Sequence, residues 1–290
     1  MRVTKSLRHV LAGIAMTIVA GGGPAAAADA SDLAKMRTPV APQGPGWVKL
    51  DVPYVPTSPT VIDAMMKVAN VGPDDIVYDL GSGDGRIPIA AVLQNKAKQA
   101  VGIELNPNRV ADAVANAQKM GVQDRVTFIE GDVFKVDFHT ATVVTMYLLD
   151  NVNLRLRPRI LDELAPGTRI VSHQFHMSTW VPDQTVFVNT VPIHFWVVPA
   201  RLGGRWRGDG VSLDLDQQFQ FATGMLYAGG TSVKIGPEKI NGTDFSFHTT
   251  VARGGSSEAV HFHGRVSGDV LTGTLLQGGI AKDVTLTRKN

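Results

Sequence analysis

At 290 residues the chain exceeds the usual size of one compact domain, so one large core with an appendage is expected. Hydrophobic residues at 44% and charged residues at 19% exclude wholesale disorder. The absence of cysteine excludes disulfides, thiolate nucleophiles and cysteine-bound zinc.

Residues 1–28 read as a secretory signal peptide. Arg2, Lys5 and Arg8 precede an apolar run from Val10 to Ala20, and small residues Ala25 to Ala28 stand before Asp29. The run is too short to span a bilayer comfortably, and no later one is long enough. The expectation is therefore an exported protein, periplasmic or secreted, without a permanent membrane span; an anchor formed by an uncleaved leader is the alternative. With the leader's three basic residues removed, 25 Lys plus Arg face 26 Asp plus Glu. Near-neutral charge argues against nucleic acid as a partner.

Residues 29–50, with Val40-Ala41-Pro42-Gln43-Gly44-Pro45-Gly46, read as a linker. Helix and strand signals then alternate through 51–198. Ser58-Pro59 is a cap followed by proline at the first helical position, and Val61, Met65, Val68 and Ala69 recur at helical spacing. Ile76 to Asp79 reads as a strand entering a glycine-rich turn, and Ile87 to Leu93 as a helix. Ala100 to Ile103 is the second strand, and Asn106-Pro107 repeats the cap for a helix that stops at Gly121. Val126 to Ile129, Thr142 to Tyr147 and Arg169 to Ser172 supply three more strands, with a helix over Ile160, Leu161 and Leu164 before the last. Thr185 to Val198 fits a closing antiparallel pair.

The fold class expected is α/β: a Rossmann-like sheet flanked by helices, followed by a small antiparallel β domain. That second domain is set at 199–290, where helical periodicity disappears. Val211 to Phe221, Gly224 to Tyr227, Ser232 to Ile235, Asp244 to Thr250, Ala259 to Val266, Val270 to Leu275 and Asp283 to Thr287 read as its strands, forming a small sheet or barrel.

The chemistry concentrates at the strand ends of the first domain. Asp79-Leu80-Gly81-Ser82-Gly83-Asp84-Gly85 places glycine at every second position, which lets the backbone bend sharply and bring N–H groups to a ligand. A dinucleotide turn reads G-x-G-x-x-G, whereas this one reads G-x-G-x-G with no pyrophosphate to cradle; a nicotinamide-dependent oxidoreductase is thereby disfavoured. Glu104, following Val101-Gly102-Ile103, is placed to accept hydrogen bonds from ribose hydroxyls. Asp132 is placed for an adenine amino group, and Asp79 and Asp84 for the ammonium of a methionine moiety. The cofactor expected is S-adenosyl-L-methionine, held by Asp79, Gly81, Ser82, Gly83, Asp84, Gly85, Glu104 and Asp132.

Tyr54-Val55-Pro56-Thr57, the run Asp79 to Arg86 and Gly102-Ile103-Glu104-Leu105-Asn106-Pro107 resemble a family of class I methyltransferases. It is the family of small protein-lysine methyltransferases that includes the mitochondrial enzymes acting on the ATP synthase c-subunit and the adenine nucleotide translocase. The resemblance spans about Val52 to Trp180 and implies protein-lysine N-methylation. It further implies that Tyr54 and Thr57 fold over the cofactor and that Tyr147 faces the reacting methyl group, which makes Tyr147 and Tyr54 the candidate catalytic residues and adds Thr57 to the cofactor set. Phe175 and Trp180 would wall the pocket or pack in the core.

Tyr147-Leu148-Leu149-Asp150 lacks the N/D-P-P-Y signature of adenine or glutamine-amide methylation. His173 with His176, and His261 with His263, lack a third ligand at a clear spacing, so no metal is assigned and hydrogen-bonded or solvent-facing histidines are expected. The acceptor expected is a protein lysine. A small molecule is the near alternative, and a non-catalytic exported binding module the alternative of another class.

Overall fold

In the computed structural model, Met36, residues 53–253 and residues 256–289 are described. The expected leader and, apart from Met36, the expected linker lie outside them. The α/β expectation holds: strands β1 (Ile76–Leu80), β2 (Gln99–Glu104), β3 (Val126–Glu130), β4 (Val143–Met146), β5 (Arg169–His173), β6 (Gln184–Val188) and β7 (Val191–Val197) form one seven-stranded sheet in the order β3-β2-β1-β4-β5-β7-β6. β1 to β5 run parallel, and β7 pairs antiparallel with both β5 and β6.

Helices α1 (Pro59–Val68), α2 (Arg86–Leu93) and α3 (Pro107–Lys119) cover one face. Ser58 and Asn106 cap α1 and α3 through their side-chain oxygens, each followed by proline. Strand residues alternate between two apolar clusters. Val77, Val143 and Val171 pack with α1 and α2, while Leu80, Val144 and Ile170 pack with α4 (Asp150–Glu163) on the opposite face. Helix α4 starts earlier than its Ile160–Leu164 periodicity indicated. It runs through Pro158, and Val152, Asn153, Leu156 and Ile160 form its buried stripe.

Strands β8 (Gly204–Gly208), β9 (Val211–Gln218), β10 (Phe221–Ala228), β11 (Thr231–Asn241), β12 (Asp244–Arg253), β13 (Ser256–Ser267), β14 (Val270–Gln277) and β15 (Ile280–Lys289) form a closed barrel of consecutive antiparallel neighbours. Two details of the barrel differ from expectation. β9 ends at Gln218, and the left-handed Phe219 (φ 52°) makes a turn, so Phe221 starts β10. β8 carried no strand signal because Gly-Arg-Trp-Arg-Gly has one apolar residue. Pairing with β9 and β15 closes the barrel through it and buries Trp206 completely.

The barrel packs on the chain that follows β5. Phe219 stacks on Trp180 with centroids 6.0 Å apart, Lys239 pairs at 2.8 Å with the covered side chain of Asp183, and Gln220 Nε2 donates to Val181 O at 2.7 Å.

Candidate functional site

The bend after β1 has all three glycines at positive φ: Gly81 at 82°, Gly83 at 53° and Gly85 at 81°. Gly81 N and Ser82 N both donate to Ile103 O, at 2.8 and 3.0 Å, which ties the bend to β2. The bareness of Gly83 and Gly85 serves the protein's own packing. A Cβ on Gly83 would lie 2.5 Å from Tyr54 Cε2, and one on Gly85 would strike the Phe128 ring. Gly83 N still points at an acid, donating to Glu104 Oε2 at 3.0 Å.

One cleft at the strand ends is lined by Tyr54, Thr57, Asp79, Gly81, Ser82, Gly83, Asp84, Glu104, Asp132 and Tyr147, so every expected site residue except Gly85 borders it. Gly85 instead begins α2 as its left-handed cap. Glu104 Oε1 accepts from Asn106 N at 2.8 Å while Oε2 accepts from Gly83 N. Asp132 Oδ1 accepts from Phe134 N at 2.9 Å, which orients the loop after β3.

The two aspartates of the bend differ. Asp84 is buried and bound by Arg86, Nε to Oδ1 at 2.9 Å and Nη2 to Oδ2 at 2.6 Å. Arg86 Nη1 also donates to Thr57 O at 3.1 Å. Asp84 is thus paired within the chain itself, and through Arg86 it anchors the 54–57 segment while still lining the cleft. Asp79 is fully buried and pairs with no cation among the described residues. Burial pushes its carboxyl up to about 7, the nearby charges of Glu104 and Asp84 adding to this, against a 2.7 Å hydrogen bond from Thr145 Oγ1.

Tyr54 lies beneath the Arg109 guanidinium, 4.0 Å from ring centroid to Cζ. Burial, then the Asp84 charge, raises its phenol to about 12, so it stays protonated. The Tyr54 hydroxyl and Ser82 Oγ are buried without a hydrogen-bond partner among the described residues. Two unsatisfied hydroxyls on a cleft rimmed by Glu104 and Asp132 fit a polar nucleoside-like ligand.

Tyr147 follows β4 and stacks on His173 (centroids 3.7 Å) and Phe175 (6.0 Å). His173 sits 3.2 Å from Thr57 Oγ1 through Nδ1, and burial lowers its pKa to about 4, leaving an uncharged ring. Trp180 does not approach the cleft: it is fully buried against Phe219 and Trp196, so core packing is its role. His176 bonds Asp150, and His261 bonds His248. No group of three or more potential ligands is arranged for a metal among the described residues.

Sequence reasoning did not place Arg86, Leu105, Arg109, Val133 or Phe134 in the cleft, and weighed His173 only as a metal ligand. Arg86 closes the motif and could have been read as a partner for its acid, and Leu105, Val133 and Phe134 directly follow Glu104 and Asp132; Arg109 and His173 carry no such signal, because only folding brings them to the cleft or against its lining.

Residues 79–184 match the ANTKMT methyltransferase domain family. A protein-lysine N-methyltransferase of Saccharolobus islandicus is 50% identical over 137 residues, 47% of this chain and 85% of that protein. An ATP synthase c-subunit lysine N-methyltransferase of Xenopus laevis is 35% identical over 139 residues, 48% of this chain and 60% of that protein. A solved structure described as an RNA methyltransferase from Salinibacter ruber in complex with S-adenosyl-L-homocysteine superposes with a TM-score of 0.50 at 47% identity, covering 51% of this chain and 96% of that one.

Proposed function

This chain belongs to the protein-lysine N-methyltransferase family as an S-adenosylmethionine-dependent methyltransferase, and we propose that its acceptor is a lysine side chain of a protein. The observation that carries the proposal is the 50% identity over 85% of the archaeal lysine methyltransferase. The chain spans about 60% of the vertebrate relatives' length, so the substrate of any one of them is not transferred.

S-adenosylmethionine supplies an electrophilic methyl group on a sulfonium. Around it, we assign each side chain a part. Every oxygen of Glu104 already accepts one backbone N–H and keeps a second lone pair for a ribose hydroxyl. Asp132 receives the adenine amino group. Asp79, buried without a cation, takes the methionine ammonium, while the Tyr54 hydroxyl and Thr57 close the cleft. Tyr147 faces the acceptor.

A free lysine amine, with an ordinary pKa of about 10.4, must shed its proton before attack. The wall of Tyr147, neutral His173 and Phe175 offers no carboxylate to hold an ammonium, which favours the uncharged amine and excludes competing water.

A second reading rests on the solved relative described as an RNA methyltransferase. Near-neutral charge after residue 28 weighs against it. Tritiated donor incubated with the full chain and a cell-envelope extract separates the two. Protease-sensitive, ribonuclease-resistant label recovered as methyl-lysine supports the lysine reading; label lost to ribonuclease, or found only in small solutes, refutes it.

Export is part of the same proposal, supported by the basic, apolar, small-residue order of residues 1–28. Mass spectrometry of the N-terminus from fractionated cells should find Asp29 first in the periplasm or medium, and an intact leader on cytoplasmic protein would refute export. No helix among the described residues is long and apolar enough to cross a membrane.

A further inference from the structure

The outer wall of the barrel carries a histidine cluster remote in sequence from the methyltransferase chemistry. His248 on β12 and His261 on β13 are directly opposed in the antiparallel register, and both are exposed. Their Nδ1 atoms face each other at 2.7 Å, with ring centroids 3.9 Å apart. His263 projects from the same face of β13, between Ser246 and Thr274 in the register. A recess includes all three histidines and Glu238; it lies beside the place where β11 and β12 pair only at Ile240↔Phe245 and Asn241↔Asp244.

We propose that His248 and His261 form a chelating pair for one divalent copper or nickel ion on the outer wall of the barrel. Neutral imidazole is a strong ligand for these ions, and directly opposed strand positions place two rings on one ion with no backbone movement. At 2.7 Å the two Nδ1 atoms share one hydrogen-bonded proton, which a bound ion would displace. Copper(II) heads the affinity order of the divalent first-row ions, and imidazole also suits nickel(II). Because neither His263 nor Glu238 is arranged with the pair as a third ligand, water completes the coordination.

Calorimetric titration of the full chain with nickel chloride, and with copper(II) supplied as its glycine complex, should show one ion per chain. His248→Gln and His261→Gln should each abolish binding, whereas His139→Gln, a distant exposed histidine, should leave it unchanged. All three variants should bind S-adenosylhomocysteine as the parent does. The unmodified chain gives a test that needs no variant: nickel should protect His248 and His261 from diethyl pyrocarbonate, located by peptide mass spectrometry. Absence of binding heat, binding that survives either glutamine variant, tighter binding of zinc than of copper or nickel, or no protection of this pair would overturn the proposal.

Discussion

The imidazole of His173 lies against the phenol ring of Tyr147, centroids 3.7 Å apart and planes 29° apart, while its Nδ1 meets the Thr57 hydroxyl at 3.2 Å. One buried ring therefore joins the 54–57 segment to the aromatic wall of Tyr147 and Phe175. His173→Ala should cost about 1–3 kcal/mol of stability, from a lost stacking contact and a lost hydrogen bond. Methyl transfer should fall further than the stability loss explains, because Tyr147 and Thr57 lose a common support. Urea unfolding and steady-state kinetics on the same preparation check both; unchanged turnover would refute the coupling.

The same residue sets a pH dependence. Burial lowers His173 from 6.5 to about 4, so between those values the unfolded chain binds a proton that the folded chain refuses. Stability should fall as pH drops through that window, by about 2–3 kcal/mol for this group. His173→Phe should flatten the difference between urea midpoints at pH 7 and 4.5. Equal slopes in parent and variant would show that other groups carry the acid sensitivity.

Asp79 acts in the opposite sense. Its carboxyl, raised to about 7, is protonated in the free protein below that pH, and the unfolded chain gives up that proton near 3.8. Its contribution to the stability of the free protein is therefore present in acid and lost as pH rises through 7. An ammonium ligand requires the ionised form, so donor affinity should weaken as pH falls from 8 to 6, approaching tenfold per unit well below 7. Asp79→Asn should bind S-adenosylmethionine more weakly at pH 8 and lose this slope, as read by calorimetry.

Glu104→Ala should cost on the order of 1–3 kcal/mol of donor affinity through lost ribose hydrogen bonds. Glu104→Gln keeps one acceptor oxygen for Gly83 N or Asn106 N and should lie between parent and alanine. A dissociation constant unchanged in both variants would contradict the ribose assignment.

Gly83→Ala combines two penalties: φ of 53°, at about 1–2 kcal/mol for a residue with a side chain, and a Cβ 2.5 Å from the Tyr54 ring. Adding Tyr54→Ala should relieve the second and not the first. The double variant should therefore be less destabilised than the sum of the singles; additive losses in thermal unfolding would refute the steric account.

Much of this was legible in the chain before folding. Alternating helix and strand periodicity, the two cap-plus-proline signals and the glycine spacing after Ile76–Asp79 are local properties, decided by backbone sterics and burial within a few residues. Because acids at the tips of parallel strands emerge on one edge, Glu104 and Asp132 reach the same cleft as Asp79. What only the tertiary structure decided is which groups remain free and which are claimed by neighbours. Arg86 takes Asp84 and leaves Asp79 without a cation; Trp180 is drawn into the core, while Thr57, Tyr147 and His173 meet from separate segments. Barrel closure through β8 belongs to the same class, since Gly204–Gly208 becomes a strand only when β9 and β15 satisfy its backbone on both sides. Those outcomes turn on hydrogen bonds and desolvation between residues distant along the chain, to which local pattern is blind.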